Sequence, residues 1–251
     1  MVAGPASGSA VVRAGWVRHY AVAMDLHQLA TTTRAGLPVV LAPFIPSDVD
    51  RVYELCQDPE IQRWTMVPSP YPRGSAEMFI NVNTPLAWRE VNRGIFSSEQ
   101  TGPELTWAVR VVGDSPLAGL WGSIGLTRHG AGRYEIGWWL GAAVRGQGIM
   151  RAATAKAVEV AFSPDAPLRA SEVWWYAKIG NLPSAAVAMR TGFQYMGIDQ
   201  ARHTDDGVQG PGAWSAVIRA GDALEPRDDW PMLSASEPDV DAAGGCGDLK
   251  H

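Results

Sequence analysis

From residue 38 onward, apolar positions recur in two rhythms, and their order predicts alternating strands and helices. The stretch PVVLAPF at 38–44 is apolar and β-branched and reads as a strand. Ser47 and Asp48 then cap a helix through Cys56, with Val49, Val52, Tyr53 and Cys56 on one stripe. A short helical piece at 59–64 and a loop rich in proline (Pro68, Pro70, Pro72) lead into a longer helix over 75–90. Strands at 105–112 and 117–128 flank the turn Gly113-Asp114-Ser115-Pro116, and a third, YEIGWWL at 134–140, follows the glycine-rich turn at 129–132. These three strands read as consecutive antiparallel neighbours. A helix at 149–162, a strand at 171–177, a helix at 182–190 ending at Gly192, and strands at 193–198 and 214–219 complete the pattern.

The two ends lack this order. Residues 1–36 are small and without steady periodicity and read as a mobile extension; an acid-poor stretch at 11–23 resembles a transit peptide, which a chain start at Met24 would explain equally well. Residues 223–251 read as a mostly disordered tail with Trp230-Pro231 as its docking point, so the folded domain is expected at 37–222.

Composition narrows the function. With 251 residues, 46% of them hydrophobic and 19% charged, the chain has the makings of one well-buried domain with extensions or of two small domains. A net charge of −5 argues against nucleic acid or an anionic membrane as the main partner, since both demand clustered Lys and Arg. Cys56 and Cys246 are far apart, giving neither a disulfide framework nor a metal-ligand spacing, and a reducing cytoplasm fits best. No apolar run approaches the roughly 20 residues of a membrane span.

The chemistry points to one turn. RGQGIMR at 145–151 lies directly after a strand and directly before an Ala-rich helix. Such a turn stacks free backbone N–H groups over one point and adds the positive end of the helix dipole, so the main chain of Gly146, Gln147, Gly148, Ile149 and Met150 is suited to a diphosphate. Arg145 and Arg151 add charge nearby. A glycine turn that merely packs strand on helix is the plain alternative. Neither a kinase-type P-loop nor a Rossmann glycine fingerprint is present.

Arg145-x-x-Gly148 at a strand-to-helix turn, then Asn181-x-x-Ser184, then Gly192-Phe193, resembles the GNAT superfamily of acyl-CoA-dependent N-acetyltransferases, and most nearly its RimJ/RimL-like branch. The resemblance spans roughly residues 38–220. It departs at Met150, where the family places a small residue, and at Ala188, where many relatives carry a tyrosine. It implies an α/β (α+β) fold: a mixed, mostly antiparallel twisted sheet of about seven strands flanked by helices, splayed between the fourth and fifth strands (134–140 and 171–177). It implies acetyl-CoA as cosubstrate, a primary amine as acceptor and no metal. On the same resemblance Trp138, Trp139 and Leu140 line the pantetheine arm, residues 174–178 line the opposite edge, Glu135 serves as general base and Ser184 as general acid. By strand alternation Glu135 shares a face with Gly137 and Trp139, so a cleft-facing carboxylate there has open space beside it. Asn181 reads as a helix cap whose side chain also reaches the cofactor arm. The resemblance allows a homodimer paired through the C-terminal strands, which nothing in the pattern requires. A non-catalytic acyl-CoA-binding regulator, or a structural protein on this scaffold, remains open from sequence alone.

Overall fold

A computed structural model describes residues 25–92, 101–200 and 212–234. Strands β1 (Leu29–Thr32) and β2 (Pro38–Ala42) open the chain as an antiparallel hairpin turned at Gly36, whose φ of 86° is a glycine conformation. The sheet therefore starts ahead of residue 37: a four-residue strand lies within the segment expected to be a mobile extension. A 3₁₀ turn at Pro46–Asp48 leads into α1 (Val49–Leu55). The expected cap at Asp48 takes a different form: its carboxylate accepts the Ile45 N–H at 2.8 Å and meets Arg110, on a strand of the sheet, at 2.5 Å.

Next come α2 (Pro59–Trp64), α3 (Arg73–Met78) and α4 (Thr84–Asn92). The single helix expected over 75–90 is broken by a π-turn at Phe79–Asn83. Pro85 supplies the reason, because it has no N–H to donate and its ring crowds the carbonyl four residues earlier, so the helix widens just ahead of it.

The remaining strands are β3 (Thr101–Val111), β4 (Gly119–His129), β5 (Arg133–Leu140), β6 (Glu172–Lys178), β7 (Gln194–Asp199) and β8 (Ala213–Arg219), with α5 (Ile149–Phe162) and α6 (Leu182–Thr191) between them. All eight strands form one sheet in the order β1-β2-β3-β4-β5-β6-β8-β7. Every pairing is antiparallel except β5 with β6. This is the mixed, mostly antiparallel sheet expected, with β1 as an added strand.

Strand alternation sorts the sheet into two faces. Leu105, Trp107, Ile124, Leu126, Tyr134, Ile136, Val173 and Trp175 join α5 and α6 in the main core. The alanines of α5 let it lie close to the sheet: Ala153, Ala157 and Ala161 are all fully buried. On the opposite face α1, α2, α3 and the π-turn form a second core around Val52, Ile61, Tyr71 and Ile80.

β5 and β6 pair only over Arg133–Ile136 and Glu172–Trp175. Beyond that, β5 continues along β4 as far as Leu140 and β6 continues along β8 as far as Lys178, so the two diverge. The splay predicted between these strands is therefore present. After β8 the chain folds back over the end of α6: Arg227 donates its N–H to the Met189 carbonyl, and Trp230 donates to the Phe193 carbonyl at 2.7 Å and packs on Trp175 and Tyr195. Trp230 is thus a docking point, as expected, within a stretch described as far as residue 234.

Candidate active site

The turn between β5 and α5 is built by its glycines. Gly146 and Gly148 have φ of 78° and 76°, a left-handed region that other residues enter only at a cost, and Gln147 between them does not. Alternating handedness turns successive N–H groups toward one side, the geometry of an anion-binding nest. The N–H groups of residues 146–151 have no acceptor among the described residues; the first internal bond of α5 is Ala152 N–H to the Gly148 carbonyl. These are the orphan donors of a helix start, aimed outward together.

Side chains around the turn divide the expected roles. Ile149 and Met150 are buried in the main core, so they can serve an anion only through their backbone. Gln147 is exposed and does not line the cavity above the turn, so it too offers only its N–H. Arg145 is spoken for: its Nε donates to the Leu140 carbonyl at 3.0 Å and its Nη2 pairs with Asp58 at 2.5 Å. The charge expected to assist an anion is thus largely balanced by a carboxylate, and Arg145 instead ties the cap of α2 to the turn.

A cavity of about 660 Å³ opens over this turn, lined by Trp138, Trp139, Leu140, Gly146, Gly148 and the start of α6. Gly141 gives its N–H to the Trp121 carbonyl on β4. By alternation Trp138 and Leu140 then present their backbone groups to the β6 side, into the splay. On β6 the opposite edge is formed by Trp175, Tyr176 and Ala177, while Trp174 lines a separate small cavity. Lys178 is held by the carbonyls of Arg63 and Thr65 at 3.2 and 3.5 Å, so the last residue of β6 secures the end of α2.

A second cavity of about 620 Å³ lies on the α1–α3 face of the sheet. Both cavities are lined by Trp64, Thr65, Trp138, Trp139, Asn181 and Ser184, so they meet at the splay. Asn181 caps α6, its Oδ1 accepting the Ser184 N–H at 3.2 Å. Ser184 Oγ accepts the indole N–H of the buried Trp175 at 3.1 Å. That bond occupies a lone pair and leaves the hydroxyl proton to be donated elsewhere. Ala188 is fully buried, so no side chain at that position reaches the cavity.

Glu135 lies on the floor of the second cavity, half-buried, with His129 Nε2 at 3.1 Å. Nothing would meet a Cβ on neighbouring Gly137 within 4 Å, so the space beside the carboxylate is open. Sequence reasoning missed two residues here. His129 ends β4 on the same face, where a turn was expected. Glu104 falls one residue before the strand start expected at 105, yet register aligns it with Thr127 on β4, which in turn faces Glu135 on β5. Burial among surrounding protein, and then the charge of Glu135, raise the Glu104 pKa, although its side chain stays open to the cavity.

Among the described residues no group of three or more His, Cys, Asp or Glu could hold a metal ion, and no helix is long and apolar enough to cross a membrane. The acetyltransferase (GNAT) domain family matches residues 39–194, more than half of the chain. This chain belongs to the GNAT acetyltransferases. No curated protein matches it by sequence. Solved structures carry the same fold. Mycobacterium smegmatis RimJ in complex with CoA-disulfide superposes with a TM-score of 0.57 at 18% identity, covering 77% of this chain and 87% of that one. RimL, the ribosomal L7/L12 α-N-protein acetyltransferase, in complex with coenzyme A gives 0.54 at 16%, covering 72% and 93%. The microcin C7 self-immunity acetyltransferase MccE in complex with acetyl-CoA and AMP gives 0.55 at 17%, covering 72% and 92%. In this GNAT acetyltransferase the orphan N–H groups at the start of α5, the cavity above them and the splay beside it lie together.

Proposed function

We propose that this protein transfers an acetyl group from acetyl-CoA to a primary amine, with both substrates bound at once on the two sides of the β5–β6 splay. The observation that carries this reading is the junction of the two cavities: donor groups suited to a diphosphate open into one, carboxylates open into the other, and Ser184 lines both. Acetyl-CoA supplies an acetyl thioester, and a neutral amine attacks it so that a C–N bond forms as the C–S bond breaks. The chain does the rest. The amides of residues 146–150 hold the diphosphate, with helix α5 adding about half a unit of positive charge. Trp138, Trp139 and Leu140 line the arm, and the Trp138 N–H, turned into the splay, polarises the carbonyl under attack. Glu135, steadied by His129, takes the proton shed by the amine. Ser184 acts as the acid by donating its hydroxyl hydrogen bond to the departing sulfur, which leaves as the thiolate and takes its proton from solvent, and Trp175 keeps that hydroxyl in register.

A lone base favours an acceptor that is already partly neutral. At pH 7.4 an α-amine with a pKa near ~7.8 is roughly a quarter neutral, whereas a lysine near ~10.4 is only about 0.1% neutral. The reading is tested by free-CoA release across a panel of amines, repeated with Glu135→Gln. The expected result is turnover that falls by roughly 10²- to 10⁴-fold in the variant while acetyl-CoA affinity holds. An unchanged rate and pH profile would remove Glu135 from the role.

A further inference from the structure

We infer that Glu104 is the acceptor-selecting residue of the second cavity, and that the acceptor is a cationic amine with an apolar body and no carboxylate beside the amine. The inference rests on the acetyltransfer reading above and deepens it. Three features lead to it. First, the Glu104 side chain lies across Gly125: a Cβ there would come within 2.1 Å of its Oε1. Gly125 faces Gly137 on β5, and the space around Gly137 is empty, so the glycine pair makes a trough beneath the two carboxylates. Second, the Glu104 carboxylate has no hydrogen-bond donor or cation among the described residues. It stands in a cavity ringed by protein with a like charge two strands away across Thr127, and its pKa is raised by that surrounding and by Glu135. A carboxylate so placed gains from an amine that arrives protonated with its own N–H donors and loses the extra proton to solvent before the neutral form attacks. Third, the cavity also has an apolar wall: Val67, Phe79 and Trp139 line it from the edge of the second core, and Met66 and Met78, 74% and 53% exposed, line it without being committed to that core. Methionines in that position adapt to an apolar body of variable shape. A free amino acid would carry its own carboxylate into this acidic trough and be repelled, whereas an amine whose neighbouring acid is masked, as an amide or a peptide bond, would not.

The test measures binding to the full chain saturated with CoA, by calorimetry, using phenylalanine amide and phenylalanine. The amide is expected to bind at least about tenfold more tightly than the free acid. Glu104→Gln, which keeps the shape, is expected to weaken the amide about tenfold or more and to narrow the preference. Gly125→Ala, whose methyl takes the seat of the carboxylate, is expected to do the same. A short peptide starting with phenylalanine separates two sources of the same chemistry: binding as tight as the amide marks a chain terminus, and weaker binding marks a small amine. The inference is overturned if wild type prefers the free acid, if the amide does not bind at millimolar concentration, or if both variants bind the amide as wild type does. Loss of acetyl-CoA binding or of CoA release from wild type would instead refute the acetyltransfer reading.

Discussion

Replacing Gly148 by alanine separates the fold of the anion nest from its function. At φ 76° a Cβ is strained, and in this position it would touch nothing nearer than the Thr33 Cβ at 3.9 Å, so backbone strain is the whole folding cost. That strain is about 1–2 kcal/mol, which lowers Tm by roughly 2–8 °C in a chain of this length. The effect on acetyl-CoA is separate, because an alanine that relaxes away from φ 76° turns the N–H groups of residues 146–150 out of their common direction. Losing one charge-assisted hydrogen bond there weakens binding by roughly 10- to 100-fold. At acetyl-CoA set to 100 times the wild-type Kd, ligand stabilisation falls from about 2.7 kcal/mol to about 1.4 or 0.4 kcal/mol. Thermal denaturation with and without acetyl-CoA reads both numbers. Gly148→Asn is the discriminating partner, since asparagine tolerates the left-handed region better. It should cost less stability than alanine and less affinity. If both variants keep the full ligand-induced shift, the nest does not hold the diphosphate.

Further outcomes follow from other contacts. Ser184→Ala should lower kcat about tenfold, and Trp175→Phe, which keeps the ring but removes the N–H, should lower it in wild type yet add nothing in the Ser184→Ala background; additive losses in the double variant would show that Trp175 does not act through Ser184. Glu104 is easier to protonate folded than unfolded, so it burdens the native state increasingly as pH climbs from the ordinary carboxylate range through its raised value. Urea melts should therefore find Glu104→Gln more stable than wild type at pH 7, with the gap closing toward about pH 4; a variant less stable at neutral pH would contradict the assignment. Burial lifts the Cys56 thiol to about 12, so it should resist thiol-directed labels in the native protein up to pH 9 and react once the chain unfolds, as peptide mass analysis would reveal.

What could be read in advance was what local spacing dictates. Gly146 and Gly148 set a left-handed turn wherever they occur between a strand and a helix, so the nest was legible. Trp138 to Leu140 were legible as the end of a strand, and the family resemblance, not their spacing, supplied the splay beside them. Long-range pairings were not. Arg145 and Asp58 are 87 residues apart in sequence, and only the docking of α2 beside the turn balances the charge expected to meet an anion. β1 is four residues of a Thr-rich stretch, too short for periodicity to register, and it is a strand because β2 offers its edge. Glu104 escaped notice because the strand was started one residue late, at the first strongly apolar position. Its meaning depends on the register of β3 against β4, which no single strand encodes. The π-turn, by contrast, has a local cause in Pro85 that composition alone does not convert into a helical register.

The central claim is that backbone amides at the start of α5 grip the diphosphate of coenzyme A. The most direct measurement is the set of amide ¹H–¹⁵N resonances of residues 146–150 during titration with acetyl-CoA, alongside S-acetylpantetheine, which lacks the diphosphate. These resonances should shift strongly with acetyl-CoA and stay near their free positions with S-acetylpantetheine. Saturable acetyl-CoA binding that leaves them unmoved would contradict the account.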